Sequence, residues 1–383
     1  MVLSRRTLLA SAAATVPLLG AIGRAVAADP VLVGVGGPLT GPNAEYGAQW
    51  KRGFDLALDA INRAGGIAGR PLAYDFQDTQ SDPRQAVAVA QKFVGDPAIV
   101  AELGDLSSTA SMAASLIYQR NGLVQFGFTN SHPDFTKGGD HMWSIATTQA
   151  DDQPDLAQLA VSELGFKKLA VLHLATDWGR VSKDAFVEAA KSRGAEIVAV
   201  EGYLPSEQDF RSTLVRVRQA NPDAVALESY YGDAALIARQ MRDSGLTVPI
   251  VANGAVFSPK FLELGGQAVE GVYTSSNFFP GDPRPEVQAF VKGYRAKYQV
   301  DPDWFGAVSY DAMAITAAVL TQFGTTREAV ETGFKQIKDA PSVLFGKVTF
   351  DPVTRRPSGA PYKHLRVTKG QFALVQPAGT NKG

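Results

Sequence analysis

One feature constrains the fold of this chain more than any other: short apolar runs alternate with helical patterns, twice over. "VLVGV" (31–35) is followed by a helical pattern from about Glu45 to Ala64. Within it Trp50, Phe54, Ala57 and Ile61 recur at the helical period on one face, and Gly65 and Gly66 end it. "LAYDFQD", a helix through "PRQAVAVAQKFVG", "AIVAELG", a helix from Ser108 to Arg120 and "LVQFGF" continue the alternation. A second series starts near Gln149. It runs through "KLAVLHLA", a helix from about Gly179 to Arg193, "EIVAVEGY", a helix from Asp209 to Gln219, "DAVALES", a helix from Asp233 to Arg242, "VPIVAN" and "GVYTSS". Strands alternating with helices of this length imply βαβ units and parallel sheets. Two series imply two doubly wound domains, which suits 383 residues at ~150 per domain. The last third holds two long helices, roughly 285–298 and 305–323, then a β-rich tail of "KVTF", "HLRVT" and "FALV". That tail is too short for a third domain and is expected to complete the first two.

Composition excludes several classes. The chain is 45% hydrophobic and 20% charged with a net charge of -1, so no basic surface for nucleic acid or anionic membrane is expected. It has no cysteine, which removes disulfides, thiolate nucleophiles and cysteine-bound metals. The start reads as an export signal: Arg5 and Arg6 precede an apolar stretch, Leu8 to Ile22, and "AVAADP" offers a cleavage site after Ala27. The paired arginines resemble a twin-arginine signal, with a basic Sec signal as the alternative. The stretch is short, Ala-rich and interrupted by Arg24, unlike a membrane span, and no other segment reads as one. A periplasmic mature chain beginning near Ala28, without a lipid anchor, is the expectation.

"VGVGGPLTGPNAEYG" (33–47) raises the question of a phosphate loop. Gly34 and Gly36 match G-x-G-x-x-G, but Leu39 stands at the third glycine position, and Pro38 and Pro42 hold the segment out of a helix. No G-K-[ST] follows. The catalytic inventory is equally empty: no G-x-S-x-G elbow, no H-x-x-x-H pair, and no calcium-loop pattern. Asp151 and Asp152 are adjacent, but acids where a helix begins read as caps. In open parallel sheets ligands bind beyond the carboxyl ends of the strands. Those positions are 36–46, 104–108, 129–131, 176–178, 228–231 and 253–256, rich in hydroxyls, aromatics and glycines and poor in charge. That chemistry suits binding better than turnover.

"GPLTGPNAEYG", "AINRAGGIAGRPL", "DTQSDPRQAVAVAQKFV" and "DFRSTLVRVRQANPDAV" resemble the leucine/isoleucine/valine-binding group of periplasmic solute-binding proteins, in order over almost the whole mature chain. The resemblance implies a type I periplasmic-binding-protein fold: two doubly wound parallel-sheet lobes joined by a three-segment hinge and closing over a ligand. On that pattern 28–147 with 277–350 forms the N-terminal lobe, and 148–276 with 351–379 the C-terminal lobe. It also implies a non-enzymatic monomer that needs no cofactor and delivers its ligand to an ABC permease and its ATPase subunits. A ligand sensor or a periplasmic enzyme on the same lobes is the alternative.

Site residues follow from the resemblance one by one. Tyr46 is expected to point from the Gly/Pro rim at the ligand. Ser108, with Ser107 before it in "GDLSSTASM", matches the serine that holds a ligand carboxylate at a helix N-terminus, or else caps that helix. "GFTNSHPDFT" places Thr129 and Ser131 at the polar-head anchor, and "TDWG" and "ESYYGD" place Trp178 and Tyr230 as aromatic covers. Amino-acid binders of the group carry an acid after the strand matching "PIVAN", where it pairs with the ligand ammonium. Here Asn253 or Gly254 stands there. Glu228 or Asp105 would have to substitute, or the ligand lacks an ammonium. The expectation leans toward an aromatic or apolar carboxylate, or an amide, over a branched-chain amino acid.

Overall fold

The first series of apolar runs becomes strands β1 (Val31–Gly37), β2 (Leu72–Asp78), β3 (Ile99–Gly104), β4 (Gln125–Gly127) and β5 (Met142–Ser144). They form one parallel sheet in the order β2-β1-β3-β4-β5. The computed structural model describes residues 29–375, so the export segment read over 1–27 lies outside the described residues. Helices α1 (Ala44–Arg63), α2 (Pro83–Gly95) and α3 (Ser108–Arg120) connect the first four strands. Two of them begin on a capping side chain. Asp82 caps α2 by accepting from the amides of Arg84 and Gln85, with Pro83 at the first helical position, and Ser107 caps α3.

Helix α4 (Gln149–Ala157) crosses to the second sheet. There β6 (Lys168–Leu174), α5 (Asp177–Ser192), β7 (Glu196–Tyr203), α6 (Arg211–Gln219), β8 (Ala224–Glu228), α7 (Tyr231–Asp243), β9 (Ile250–Ala252), α8 (Pro259–Gly265) and β10 (Tyr273–Ser276) follow. The chain returns through α9 (Pro285–Tyr298), α10 (Trp304–Phe323) and α11 (Arg327–Gln336). It ends in a small β11 (Ala340–Ser342) and β12 (Gly346–Val348) pair and a β13 (Lys363–Thr368) and β14 (Gln371–Leu374) hairpin. The second sheet runs β14-β13-β10-β9-β8-β6-β7. Of the tail expected to complete both domains, only β13 and β14 extend a main sheet, while β12 pairs with β11 apart from both; β13 and β14 join antiparallel, so the second sheet is parallel only from β10 to β7. Helices α8 and α11 and strands β5 and β11 have no counterpart in the sequence reading, because each is short, from three to ten residues.

Both sheets reverse direction between their first and third strands, at β1/β3 and at β6/β8. Such switch points open a crevice at the strands' carboxyl ends. In the first lobe the core is built on α1, whose Trp50, Phe54 and Ala57 are buried, each large side chain contributing about 1.5–3 kcal/mol of transfer free energy. Gly53 lets α1 touch α10: a Cβ there would stand 2.1 Å from Ser309 Oγ and 2.3 Å from the Gly306 carbonyl. Helix α10 corrects one expectation. By length and composition it could cross a membrane, but 72% of its apolar window is buried inside the protein. It is a core helix, and its uniform apolarity follows from burial on most sides.

Candidate functional site

Residues that follow β3, β4, β6, β8, β9 and β10 surround one cavity of about 810 Å³, its mouth included. Thr129 and Ser131 come from the first lobe, and Trp178, Tyr230, Asn253 and Gly254 from the second. Two positioning devices are visible. Thr176 caps α5 by accepting the Gly179 amide at 3.2 Å, which fixes Trp178 in the first turn. The Trp178 indole then lies flat on Tyr230, centroids 4.9 Å apart and planes 9° from parallel. Its Nε1 donates across the cleft to Ser131 Oγ at 3.2 Å, an oxygen that also accepts from Gln149 Nε2 at 2.7 Å.

Three further aromatics reach the wall from the returning chain: Trp304 and Phe305 at the start of α10, and Tyr362 before β13. Trp304 Nε1 donates to Asn277 Oδ1, which satisfies the indole in a half-buried setting. Sequence reasoning missed all three, since nothing local in "DPDWFGA" or "PYKHL" marks a cleft-facing ring. Among the described residues the wall carries no Lys, Arg or His and one acid, Asp152. The described residues hold no cluster of groups that could bind a metal.

A family model described as periplasmic binding protein matches residues 30–371. The chain is 30% identical over 353 residues to the Leu/Ile/Val-binding protein homolog 1 of Brucella suis, covering 90% of this chain and 93% of that one. This chain belongs to the periplasmic binding protein family. Its fold matches a substrate-binding protein, LivJ of Streptococcus pneumoniae, solved with isoleucine (TM-score 0.84, 24% identity, 91% of this chain and 100% of that one). It also matches a solute-binding protein of R. palustris solved with benzoate (TM-score 0.83, 19% identity, 91% and 96%). At those identities the likeness carries the fold alone. The periplasmic binding proteins it matches are solute binders, not enzymes.

In this periplasmic binding protein Thr129, Ser131, Trp178, Tyr230 and Gly254 line the cavity, and five other expected residues do not. Tyr46 is fully buried behind the wall. Its hydroxyl accepts from the Tyr231 amide at 3.1 Å and donates to the Ala255 carbonyl at 2.9 Å, so it joins the lobes instead of facing a ligand. The Gly/Pro rim does the same, with the Pro42 carbonyl accepting from Tyr231 Oη at 2.6 Å. Ser107 is occupied as the α3 cap, accepting from the Ala110 amide at 3.3 Å. Ser108 is fully buried and its Oγ accepts the His132 amide at 3.3 Å. Asp105 is buried with its carboxylate on the Thr79 hydroxyl and the Ser107 amide, and burial pushes its pKa up to about 7.

Glu228 is also sealed away. Ser182 Oγ at 2.5 Å, Gln153 Nε2 at 3.0 Å and Asn253 Nδ2 at 3.1 Å all donate to its Oε2, and those three side chains form the wall in front of it. Burial raises its pKa to about 7 against those bonds. The carboxylate that does reach the cavity is one that the sequence reading set aside as a cap. Asp151 is the cap: it forms a capping box with Thr148. Asp152, one residue on, turns to the cavity, and Tyr362 Oη donates to its Oδ1 at 2.5 Å. Burial raises its pKa to about 6, opposed by the hydroxyls of Thr147 and Tyr362.

Proposed function

We propose that this chain is an exported solute-binding protein that holds an amino acid, or a small carboxylate or amide, between its lobes and delivers it to an ABC permease. The observation that carries the reading is the cavity at the carboxyl ends of both sheets, walled by a stacked indole–phenol pair and neutral hydrogen-bonding groups. A flat aromatic pair offers apolar contact at little entropic cost, while Thr129, Ser131, Gln149 and Asn253 can orient polar ends. The Leu/Ile/Val-binding name of its relatives and the paired arginines of the first residues agree with this role. On this reading Trp178, Tyr230, Thr129, Ser131 and Gly254 touch the ligand, and Tyr46 holds the lobes together over it.

The test is a thermal-shift panel of branched-chain and aromatic amino acids, their amides and benzoate-type acids. A solute bound only by the folded chain raises Tm by mass action. A concentration-dependent rise with one class, lost in Trp178→Ala, is the expected outcome. A chain indifferent to every small solute in its own periplasmic extract would contradict the role.

A further inference from the structure

One face of α4 is short of hydrogen-bond donors. Gln149, Asp152, Gln153 and Leu156 fall at i, i+3, i+4 and i+7, the spacing of one helical face, and all four line the cavity. The two glutamines are each 2% exposed. Each spends its amide nitrogen on a neighbour, Gln149 on Ser131 Oγ, and Gln153 on Ser182 Oγ at 2.8 Å and Glu228 Oε2 at 3.0 Å. Each is left with a buried carbonyl oxygen, Oε1, that has no partner. Gln153 turns its amide nitrogen to Glu228 Oε2, an oxygen that also accepts from Ser182 Oγ and Asn253 Nδ2. Between them stands Asp152, whose carboxylate meets two neutral hydroxyls, Tyr362 Oη on Oδ1 and that of Thr147, and no cation.

The charges around Asp152 do not neutralise it. Asp151 and Asp155, on the same helix, add negative charge. The nearby cation, Arg356, is buried and spends its guanidinium on Ser144 Oγ and on the carbonyls of Ala146 and His132. Two orphan carbonyl oxygens and a carboxylate without a countercharge in one buried wall are costly unless a ligand supplies donors and positive charge.

We propose that Gln149, Asp152 and Gln153 form a subsite for a protonated primary amine of the ligand. The inference rests on the solute-binding reading and narrows its ligand to one that carries an ammonium group. An ammonium presents three donors, which matches one carboxylate and two carbonyl oxygens. It supplies the counter-charge that Asp152 lacks. A ligand whose only polar group is a carboxylate would instead place like charge beside Asp152. The acid missing at Gly254 is thus replaced from a different element, and neither Glu228 nor Asp105 is needed for the task.

Isothermal titration calorimetry of the full mature chain with matched pairs tests this. The probes are L-leucine against 4-methylpentanoate, and L-phenylalanine against 3-phenylpropanoate. Each pair differs only in the amino group. The amine of the pair that fits the cavity should bind tighter than its deaminated partner by on the order of 30-fold or more, the scale of a buried charge pair. Asp152→Asn should remove that advantage by weakening the amine while leaving the acid unchanged or improved. The variant's circular dichroism and ligand-free Tm, matched to the parent, keep folding out of the result. Equal or tighter binding of a deaminated acid, or an Asp152→Asn variant that keeps full preference for the amine, would overturn the subsite and leave the solute-binding reading standing. Silence toward all four probes with a response to an amide or a benzoate would overturn it in the same way. Silence toward every solute would sink both.

Discussion

The Tyr46 hydroxyl of helix α1 donates to the Ala255 carbonyl at 2.9 Å, tying a first-lobe helix to the loop after β9 in the second lobe. The same oxygen accepts the Tyr231 amide at the start of α7. One phenol therefore serves two partners across the cleft, in a site with no water access of its own. Tyr46→Phe keeps the ring and removes both bonds, leaving the Tyr231 amide and the Ala255 carbonyl unpaired when the lobes close. The closed state should lose about 1–3 kcal/mol relative to the open one. Apparent ligand affinity should fall with the population of closed chains. Small-angle scattering should show a larger radius of gyration for the ligand-free variant than for the parent. Identical scattering and affinity would remove the latch.

Trp178→Ala deletes the ring that stacks on Tyr230 and the indole donor to Ser131. A confirmed ligand should bind the variant more weakly by about 1–3 kcal/mol. The parent's tryptophan fluorescence should change on binding through Trp178 and Trp304, and the variant should keep only part of that change. Unaltered affinity would return Trp178 to the role of a core residue.

Ser108→Ala separates the sequence expectation from the geometry. The hydroxyl is buried against the His132 amide and does not reach the cavity. Stability in urea should fall by about 1 kcal/mol, the scale of one hydrogen bond. Ligand affinity should stay close to that of the parent. A large affinity loss at unchanged stability would restore Ser108 as a ligand anchor.

Much of this fold was legible because the elements are periodic. The α1 face of Trp50, Phe54 and Ala57 and the runs β2, β7 and α9 read directly from spacing. Where the sequence misled, a side chain's direction was the missing quantity. Asp151 and Asp152 are alike as residues, but one step along a helix is a turn of about 100°, so one caps the helix and its neighbour enters the cleft. Tyr46 follows a rim loop, and nothing in "NAEYG" tells whether the ring faces a ligand or the other lobe. Trp304, Phe305 and Tyr362 lie far along the chain from the loops they meet, so only the tertiary fold brings them to the wall.

Stability should depend on pH through Glu228. Burial raises its pKa from 4.5 to about 7, so between those values the folded chain holds a proton that the unfolded chain releases. Stability from this group is fully present below about 4.5 and falls as pH climbs to about 7. Glu228→Gln should flatten that slope and raise Tm more at pH 8 than at pH 5. Calorimetric melts of both proteins at the two pH values check this, and parallel pH profiles would rule Glu228 out as the source.

The most direct measurement of the central claim is native mass spectrometry of the chain recovered from its own periplasm. Parent protein should appear as a chain beginning at Ala28 with a non-covalently held solute of amino-acid size that carries an amine. Trp178→Ala from the same cells should appear largely empty. A parent chain that emerges bare, under conditions gentle enough to keep a control binding protein loaded, would contradict the account.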